Sequence, residues 1–293
     1  MTIGVLAAFF NGFFSSVRSG FIKHHLVNTD SIIAAWISSV IALLITLPLL
    51  LIIEPLVMPT QFWTDVIVVS MMNALTAVFT VKALKKGDLS IIDPLRSLVP
   101  VFVLLCGPFI LNEYPDMFGL LGVLSIIAGS YLLELRKTGL GILSPVKALW
   151  RHPGAPYMIV NTLLWGVSST VSKRAIIGTS TTHYIIALSS FMALFLTIAA
   201  LFRIRTTHLK VAHFSFSKQI APLFIIGFLG AAIHYCQAIA MTYMLAVYVI
   251  AIKRLDLIFS IIIGKIFFRE SSFGFRFAAG VLMITGTFII LFF

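Results

Sequence analysis

The chain has 293 residues, of which 60% are hydrophobic and only 11% are charged, and its formal net charge is +11. Soluble domains carry about 25% charged residues, so this composition excludes a water-soluble protein. The basic residues stand between apolar segments and do not form one basic face. The charge therefore predicts the flanks of membrane helices and argues against a nucleic-acid partner.

Apolar runs of about 20 residues, the length that crosses a bilayer, follow one another along the chain. The first run has no basic segment before it and no small-residue cleavage site after it, so we read it as a retained helix and not as a signal peptide. Charged residues divide two longer stretches at 112–116 and 269–272 and predict turns at the membrane surface. The predicted fold is an all-α membrane protein with ten transmembrane helices, near 3–24, 31–53, 62–84, 89–111, 117–135, 157–177, 184–203, 220–243, 246–268 and 275–293.

Lysine and arginine fall mostly on one set of alternate connections, with fourteen on one side against two, Lys173 and Arg174, on the other. The positive-inside rule places the larger set in the cytoplasm and both termini outside it. We expect a multi-pass protein of a bacterial inner (plasma) membrane. The fourteen are Lys23, Lys82, Lys85, Lys86, Arg136, Lys137, Lys147, Arg151, Arg203, Arg205, Lys210, Lys218, Arg269 and Arg276.

The two halves of the chain resemble each other weakly but in the same order. Gly12–Val17 is similar to Gly166–Val171, and an offset of 157 positions aligns Glu113 with Glu270. Five helices in each half would insert the second half upside down relative to the first, as in many secondary transporters. The sequence therefore predicts two inverted five-helix repeats, 3–135 and 157–293, joined by a cytoplasmic linker, 136–156.

Four features together resemble an EamA-type member of the drug/metabolite transporter superfamily. They are the 5+5 arrangement, a Glu after the fourth and ninth helices, glycine-rich fifth and tenth helices, and the segments Pro94–Pro100 and Lys253–Phe259. The resemblance implies a ten-helix bundle whose central cavity is lined by the first, third, fourth, sixth, eighth and ninth helices. It also implies export or exchange of small metabolites. Pro100 is matched by Leu257, so the fourth and ninth helices need not bend alike.

Ionisable residues inside the predicted helices are the first candidates for a substrate site, because a charge in hydrocarbon is costly unless it faces a cavity or a partner. The candidates are Arg18, Asp93, Arg96, Lys253, Arg254 and Asp256. The offset of 157 aligns Arg96 with Lys253, which predicts a cavity with a positive wall that holds a carboxylate or phosphate. The alternative is that Asp93 pairs with Arg96, and Lys253 with Asp256, along one helix face.

Polar residues on the helices expected to face inward are weaker candidates, since each is either a ligand contact or a hydrogen bond between helices. They are Asn11, Trp165, His234, Tyr235, Gln237 and Tyr248. Ser125 and Gly129, four residues apart, predict close helix packing and, as an alternative, a homodimer.

The function predicted is a secondary transporter that moves an amino-acid-like or organic acid substrate by alternating access. The partners are then a small molecule and the bilayer. A flippase for a lipid or a lipid-linked sugar is the alternative, because a basic cavity would also suit its headgroup.

An enzyme is not expected, because the chain has no H-E-x-x-H, no paired His and Asp, and no Ser-centred nucleophile elbow. No cofactor or metal is expected either, since Cys106 and Cys236 stand in apolar runs. Phosphate-cradling loops for ATP are absent, so transport is expected to be passive or driven by a gradient.

Overall fold

A computed structural model of the chain contains ten α-helices and one short 3-10 helix, and no β-strand in the part that it describes. That part comprises residues 2–25, 30–54, 56–86, 95, 97–136, 153–207, 216–259 and 274–292. The helices are α1 (Thr2–His25), α2 (Ser31–Thr46), α3 (Thr60–Lys86), α4 (Val99–Leu111), α5 (Met117–Arg136), α6 (Ala155–Ile177), α7 (Thr181–Thr207), α8 (Phe216–Tyr243), α9 (Ala246–Lys253) and α10 (Gly274–Phe292).

Two helices end earlier than predicted. The α-helical part of α2 ends at Thr46 and continues as a 3-10 helix, Leu47–Leu51, because Pro48 has no amide hydrogen for the next α-helical bond. The ninth helix, predicted as one element over 246–268, is interrupted by a turn at Arg254 and Leu255 before helical residues 256–259. The remainder of that prediction, and the beginning of the fourth helix, lie outside the described residues.

Contacts from α1 surround the interruption of α9. A Cβ atom on Gly12 would lie 3.0 Å from the carbonyl oxygen of Lys253 and 3.3 Å from the amide nitrogen of Asp256, so glycine favours this close approach. The Ser16 hydroxyl donates a hydrogen bond to the carbonyl of Asp256. A neighbouring helix thus supplies a hydrogen bond to the backbone directly after the break in α9.

The fourth helix has a turn at the corresponding place. The amide of Leu98 donates to the carbonyl of Leu95 at 3.2 Å just before α4, and the amide of Leu255 donates to the carbonyl of Ile252 at 3.0 Å just after α9. Both donors and both acceptors are 157 positions apart, 98 to 255 and 95 to 252. The same tight turn thus stands at both positions that the sequence offset aligns.

The most extensive helix contacts of the bundle follow one pattern. The pairs in contact include α1 with α8, α3 with α6, α2 with α7, α5 with α10, α4 with α6, and α1 with α9. Exchanging each helix for the one five places along the chain converts this set of pairs into itself.

The small-residue face of α5 is covered by α10 of the same chain. A Cβ atom on Gly129 would lie 2.8 Å from the carbonyl of Ala279, and one on Gly286 would lie 3.0 Å from the Cβ of Ser125. Close packing through Ser125 and Gly129 was expected from the sequence. Since α10 occupies this face, a homodimer would need another surface.

Three helices of the described chain are long and apolar enough by themselves to cross a membrane, Ile32–Leu51, Thr181–Thr206 and Ala221–Tyr243. Shorter apolar helices accompany them at Thr2–Arg18, Val99–Leu111, Met117–Leu132 and Ala279–Phe292. Large apolar side chains on the outside of the bundle, such as Phe109, Phe202 and Phe292, are 70% or more exposed. Such a surface suits a lipid environment.

The bundle has two ends, which we name by their charged residues. The Glu113 end carries the connections 112–116, 178–180 and 244–245, and the Arg203 end carries the ion pair between Asp30 and Arg203. Gly4 packs against Met244, and Gly122 packs against Ile290. The beginning of α1 and the end of α10 therefore both lie at the Glu113 end.

Candidate functional site

A polar cavity lies between α3, α6, α7, α8 and α9 in the middle of the bundle. Its volume is about 30 Å³. The cavity is lined by Asn73, Trp165, Ser168, Ser169, Ser172, Ile176, Tyr184, Leu188, Ile233, His234, Gln237, Ala238, Met241 and Lys253. Four of the five helices that line it, α3, α6, α8 and α9, belong to the set expected from the family resemblance, and α7 is an addition.

Among the described residues that line the cavity, Lys253 carries a full positive charge. Its Nζ atom donates to Oε1 of Gln237 at 3.0 Å and lies 4.8 Å from the ring centroid of Trp165, a cation–π contact. Lys253 is also the last residue of α9, where the negative end of the helix dipole favours a cation. The interruption of the helix thus places this ammonium group at the cavity wall.

A row of hydroxyl groups on α6 lines the wall with contributions from α3. Ser168 donates to Oδ1 of Asn73 at 2.8 Å, while Ser169 and Ser172 donate to carbonyls of their own helix. Ser172 follows Ser168 by four residues and Ser169 by three, and these spacings place side chains on one face of a helix. The three serines therefore form an inward polar stripe on an otherwise apolar helix. This stripe was not predicted from the sequence, although its serines stand together in the run Gly166–Ser172.

Two further basic residues stand close to the cavity on α1 and α8. His234 lines the cavity, and the charges of Lys253 and Arg18 both act on its imidazole. The guanidinium of Arg18 faces Gly230, where a Cβ atom would lie 3.7 Å from Nε. Nε of Arg18 is buried and has no hydrogen-bond partner in the part of the chain that the structure describes. The neighbourhood of His234 is therefore strongly basic.

The residues predicted from the sequence separate into two groups. Trp165, His234, Gln237 and Lys253 come together at the cavity. Arg18 lies beside them, whereas Asp93 and Arg96 fall outside the described residues and their predicted roles stay predictions.

The other candidates lie away from the cavity wall. Asn11 is buried between α1 and α8 and donates to the carbonyl of Ile233 at 2.7 Å. Tyr235 faces outward and is 38% exposed, and Tyr248 lies at the Glu113 end against Gly119, where it interacts with Asp116.

Arg254 and Asp256 lie in and after the turn that interrupts α9, and Oδ1 of Asp256 is buried without a hydrogen-bond partner among the described residues. The described ion pairs do not include one between Lys253 and Asp256. The alternative of an ion pair along one face of this helix is therefore not found for Lys253 and Asp256.

A buried ion pair at the Glu113 end was not foreseen. The loop after α4 was expected at the membrane surface, yet the Glu113 carboxylate points inward to the ammonium of Lys173, and their side chains are only 13% and 6% exposed. Asn112 ends α4 in the left-handed conformation (φ 54°), which reverses the chain and directs the next residue inward. The reversal depends on three-dimensional packing that apolar periodicity does not encode.

The adjacent residue of α6 forms a second ion pair with α3. Arg174 donates to both carboxylate oxygens of Asp65, at 2.6 and 2.9 Å, and Gln61 donates to the same carboxylate at 2.8 Å. Asp65 is buried, so its charge requires these donors. Lys173 and Arg174, the two basic residues that the sequence placed on the other side of the membrane, both bind carboxylates of the first five helices.

The cavity can hold water but not a metabolite in this conformation. One buried water needs about 10–15 Å³, whereas pockets for organic ligands measure about 300–1,000 Å³. A cavity of about 30 Å³ is therefore a closed site. Among the described residues, no group of three His, Cys, Asp or Glu side chains is placed to hold a metal ion.

An apolar helical bundle with a closed polar cavity at a broken helix has the architecture of a membrane transporter. The chain belongs to the EamA-like transporter family, whose family model matches residues 2–135 and 152–292. It is accordingly an integral membrane protein and a transporter of the drug/metabolite transporter superfamily.

A solved crystal structure, described only as that of a protein, is similar to this chain with a TM-score of 0.76 and 15% sequence identity. The similarity covers 98% of this chain and 96% of that one, and at this identity it shows a common fold. No curated protein matches the chain by sequence.

Proposed function

We propose that this chain is a secondary transporter that moves a small anionic or zwitterionic metabolite, of the amino-acid or organic-acid type, by export or exchange. The proposal rests above all on the chemistry of the cavity wall. The described residues that line it include Lys253 and His234, with many hydroxyl and amide groups, and no Asp or Glu. Such a wall favours a carboxylate or phosphate, which can accept several hydrogen bonds.

Alternating access would follow from two inverted five-helix repeats, 3–135 and 157–293, joined by the cytoplasmic linker 136–156. Three observations support this arrangement: the matched turns at Leu98 and Leu255, the set of helix pairs that converts into itself, and the family match to two segments. Two similar halves can exchange conformations and so open the same site to opposite sides. All ten helices then cross the membrane, in a bacterial inner membrane, with the Glu113 end and both termini outside the cytoplasm.

In the closed conformation, Gln237 and Trp165 hold the Lys253 ammonium group at the wall. An incoming carboxylate would take the place of these contacts and gain a stronger, charge-assisted hydrogen bond. The hydroxyl groups of Ser168 and Ser172 bond to neighbours that water or ligand can replace. The wall is therefore ordered before the ligand arrives, which lowers the entropy cost of binding.

A thermal-stability screen of the detergent-solubilised protein tests the proposal. Anionic, zwitterionic and cationic metabolites are compared, because a ligand of the folded state stabilises it by about 2.7 kcal/mol at a concentration of 100 Kd. We expect stabilisation by anionic or zwitterionic compounds. Lys253→Ala should lower the affinity for these compounds about tenfold to a hundredfold, since a hydrogen bond to a charged group contributes about 1.5–3 kcal/mol.

Arg205→Ala is the matched control, because Arg205 is an exposed basic residue near the end of α7, away from the cavity. This variant should keep the wild-type response. Stabilisation by cationic compounds, or an unchanged response in Lys253→Ala, would contradict the proposed site. If metabolites have no effect and phospholipid headgroup analogues stabilise the protein, the flippase alternative would replace the proposal.

A further inference from the structure

We infer that Glu113 and Lys173 form a latch with the first turn of α9, and that this latch closes the cavity at the Glu113 end. The inference rests on the proposed function, since a latch matters only if the cavity opens to admit a substrate. It assigns a conformational role to two residues that do not line the cavity.

The latch joins three separate segments through one carboxylate. One oxygen of Glu113 binds the Lys173 ammonium group on α6, and Oε2 accepts a hydrogen bond from the amide of Ala246 at 2.8 Å. Lys173 donates in addition to the carbonyl of Met244. The loop after α4, the end of α6 and the beginning of α9 are thus held together by the same four groups.

Each backbone partner in the latch is a group that a helix end leaves unsatisfied. The Ala246 amide belongs to the first turn of α9, whose positive dipole end favours the carboxylate, and the described structure gives Leu245 no side-chain cap for this helix. The Met244 carbonyl stands in the short link between α8 and α9 and suits a cation. The charges of Glu113 and Lys173 are therefore matched to the helix ends that they touch.

The latch lies beside the cavity on α6 and just past its lining residues on α8. On α6, Ser172 and Ile176 line the cavity on either side of Lys173 in the sequence, and on α8 Met241 lines it three residues before Met244. A cavity of about 30 Å³ must widen before it holds a metabolite. Widening at this end separates the loop after α4 from α6 and α9, which requires Glu113 to leave Lys173 and Ala246.

A buried ion pair suits a latch because it favours the arrangement in which both charges are paired, and an arrangement that keeps only one of the two charges is costly. Removing one partner leaves the other charge buried without compensation, and that cost is relieved when the site opens to water. Breaking the pair should therefore increase the open population without a new ligand.

Thiol labelling measures this population independently of transport. Ser172→Cys is introduced into a Cys106→Ala, Cys236→Ala background and reacted with a sulfonated methanethiosulfonate. We expect Glu113→Gln and Lys173→Met each to label about tenfold faster, which corresponds to about 1.4 kcal/mol. The double variant should label no faster than about the faster single, because both substitutions break the same interaction.

Glu54→Gln is the matched control, since Glu54 is an exposed carboxylate in the connection before α3. It should label at the parent rate. Hydrogen exchange supplies a second readout, in which Glu113→Gln and Lys173→Met should raise exchange in 112–116 and 244–250 but not in α2 or α5.

Unchanged labelling and exchange in both single variants would overturn the latch, and so would exchange that rises equally in every helix, which would mean a purely structural pair. If labelling behaves as expected while no metabolite binds through Lys253, the latch stands and the proposed substrate is wrong. If metabolites bind and labelling does not change, the proposed function stands without this latch.

Discussion

Buried charged side chains help to hold the helices of this bundle together, because a charge away from water needs an opposite charge or hydrogen bonds from a neighbouring helix. Asp65 shows the requirement most plainly: it is buried on α3 and accepts three hydrogen bonds, from Nε and Nη2 of Arg174 and from Nε2 of Gln61. The sequence places Asp65 near the beginning of an apolar run and gives no sign of its partner. Only the packing of α3 against α6 makes the pair visible.

The same reasoning applies at the Arg203 end, where a charged residue also starts a helix. Asp30 accepts a hydrogen bond from the amide of Ile32 at 2.9 Å, as an N-cap of α2, and another from Nε of Arg203 at 3.0 Å. Partial burial raises the pKa of the Asp30 carboxyl. The hydrogen bond from the Ile32 amide and the charge of Arg203 together lower the pKa by more, so that it lies below its ordinary value of 3.8.

Since the pKa of Asp30 is lower in the folded state, its contribution to stability is present above pH 3.8 and is lost as the pH falls through the lowered value. Asp30→Asn keeps a capping oxygen but removes the charge. We predict that this variant unfolds at a lower temperature than wild type at pH 7, because its free energy of unfolding is smaller by about 0.2–1 kcal/mol. The gap should shrink towards zero below pH 3.8 in thermal unfolding of the detergent-solubilised protein. A gap that stays constant from neutral to acidic pH would contradict this.

At the scale of helices, the contact between α5 and α10 depends on glycine. A Cβ atom on Gly122 would lie 2.7 Å from the carbonyl of Gly286, and one on Gly286 would lie 2.5 Å from the carbonyl of Gly122. Because the obstructing atoms belong to the backbone, they cannot move aside as a flexible side chain could. The two helices would have to separate to admit a methyl group.

We predict that Gly122→Ala destabilises the protein by about 1–3 kcal/mol, the usual cost of overpacking. The measurement is the midpoint of thermal unfolding in detergent. Gly280→Ala is the control on α10, since its Cβ would lie 3.8 Å from Ile258, an ordinary contact outside the α5–α10 interface. An equal loss in both variants would show that α5 and α10 are not in the close contact described.

How well each helix could be predicted depends on what ended it. Charged residues in the sequence marked the ends of α5 and α7, and the predicted bounds of these helices lie within a few residues of those observed. The turn in α9 after Lys253 falls inside a predicted helix, 246–268, and Gly12 and Ser16 of another helix contact the backbone there. Such a break cannot be read from the run that contains it.

For the whole molecule, the sequence offset of 157 positions was the most informative pattern. It aligned Leu98 with Leu255, and the structure has the same tight turn at both. It did not predict which polar side chains meet, because Asn73, Ser168 and Tyr184 reach the cavity from three different helices. Lys253 and Trp165 were found from charge and amphipathic character, whereas the serine stripe was hidden by the small size of its residues.

The fold, the cavity and the ion pairs describe one closed conformation of a transporter. Asp65 with Arg174 holds packed helices together, and Glu113 with Lys173 joins segments that must separate if the site opens at that end. The two proposals assign substrate recognition and opening to different residues, so the two can be tested separately.

The central claim is that Lys253 recognises the anionic group of a transported metabolite, and counterflow in proteoliposomes tests it most directly. The compound that stabilises the purified protein most is loaded inside, and uptake of the labelled compound is followed at limiting concentration. We predict saturable counterflow by wild type, a loss of about tenfold or more in Lys253→Ala, and partial recovery in Lys253→Arg, because the charge contributes about 1.5–3 kcal/mol to binding. Counterflow by Lys253→Ala at the wild-type rate would contradict the claim.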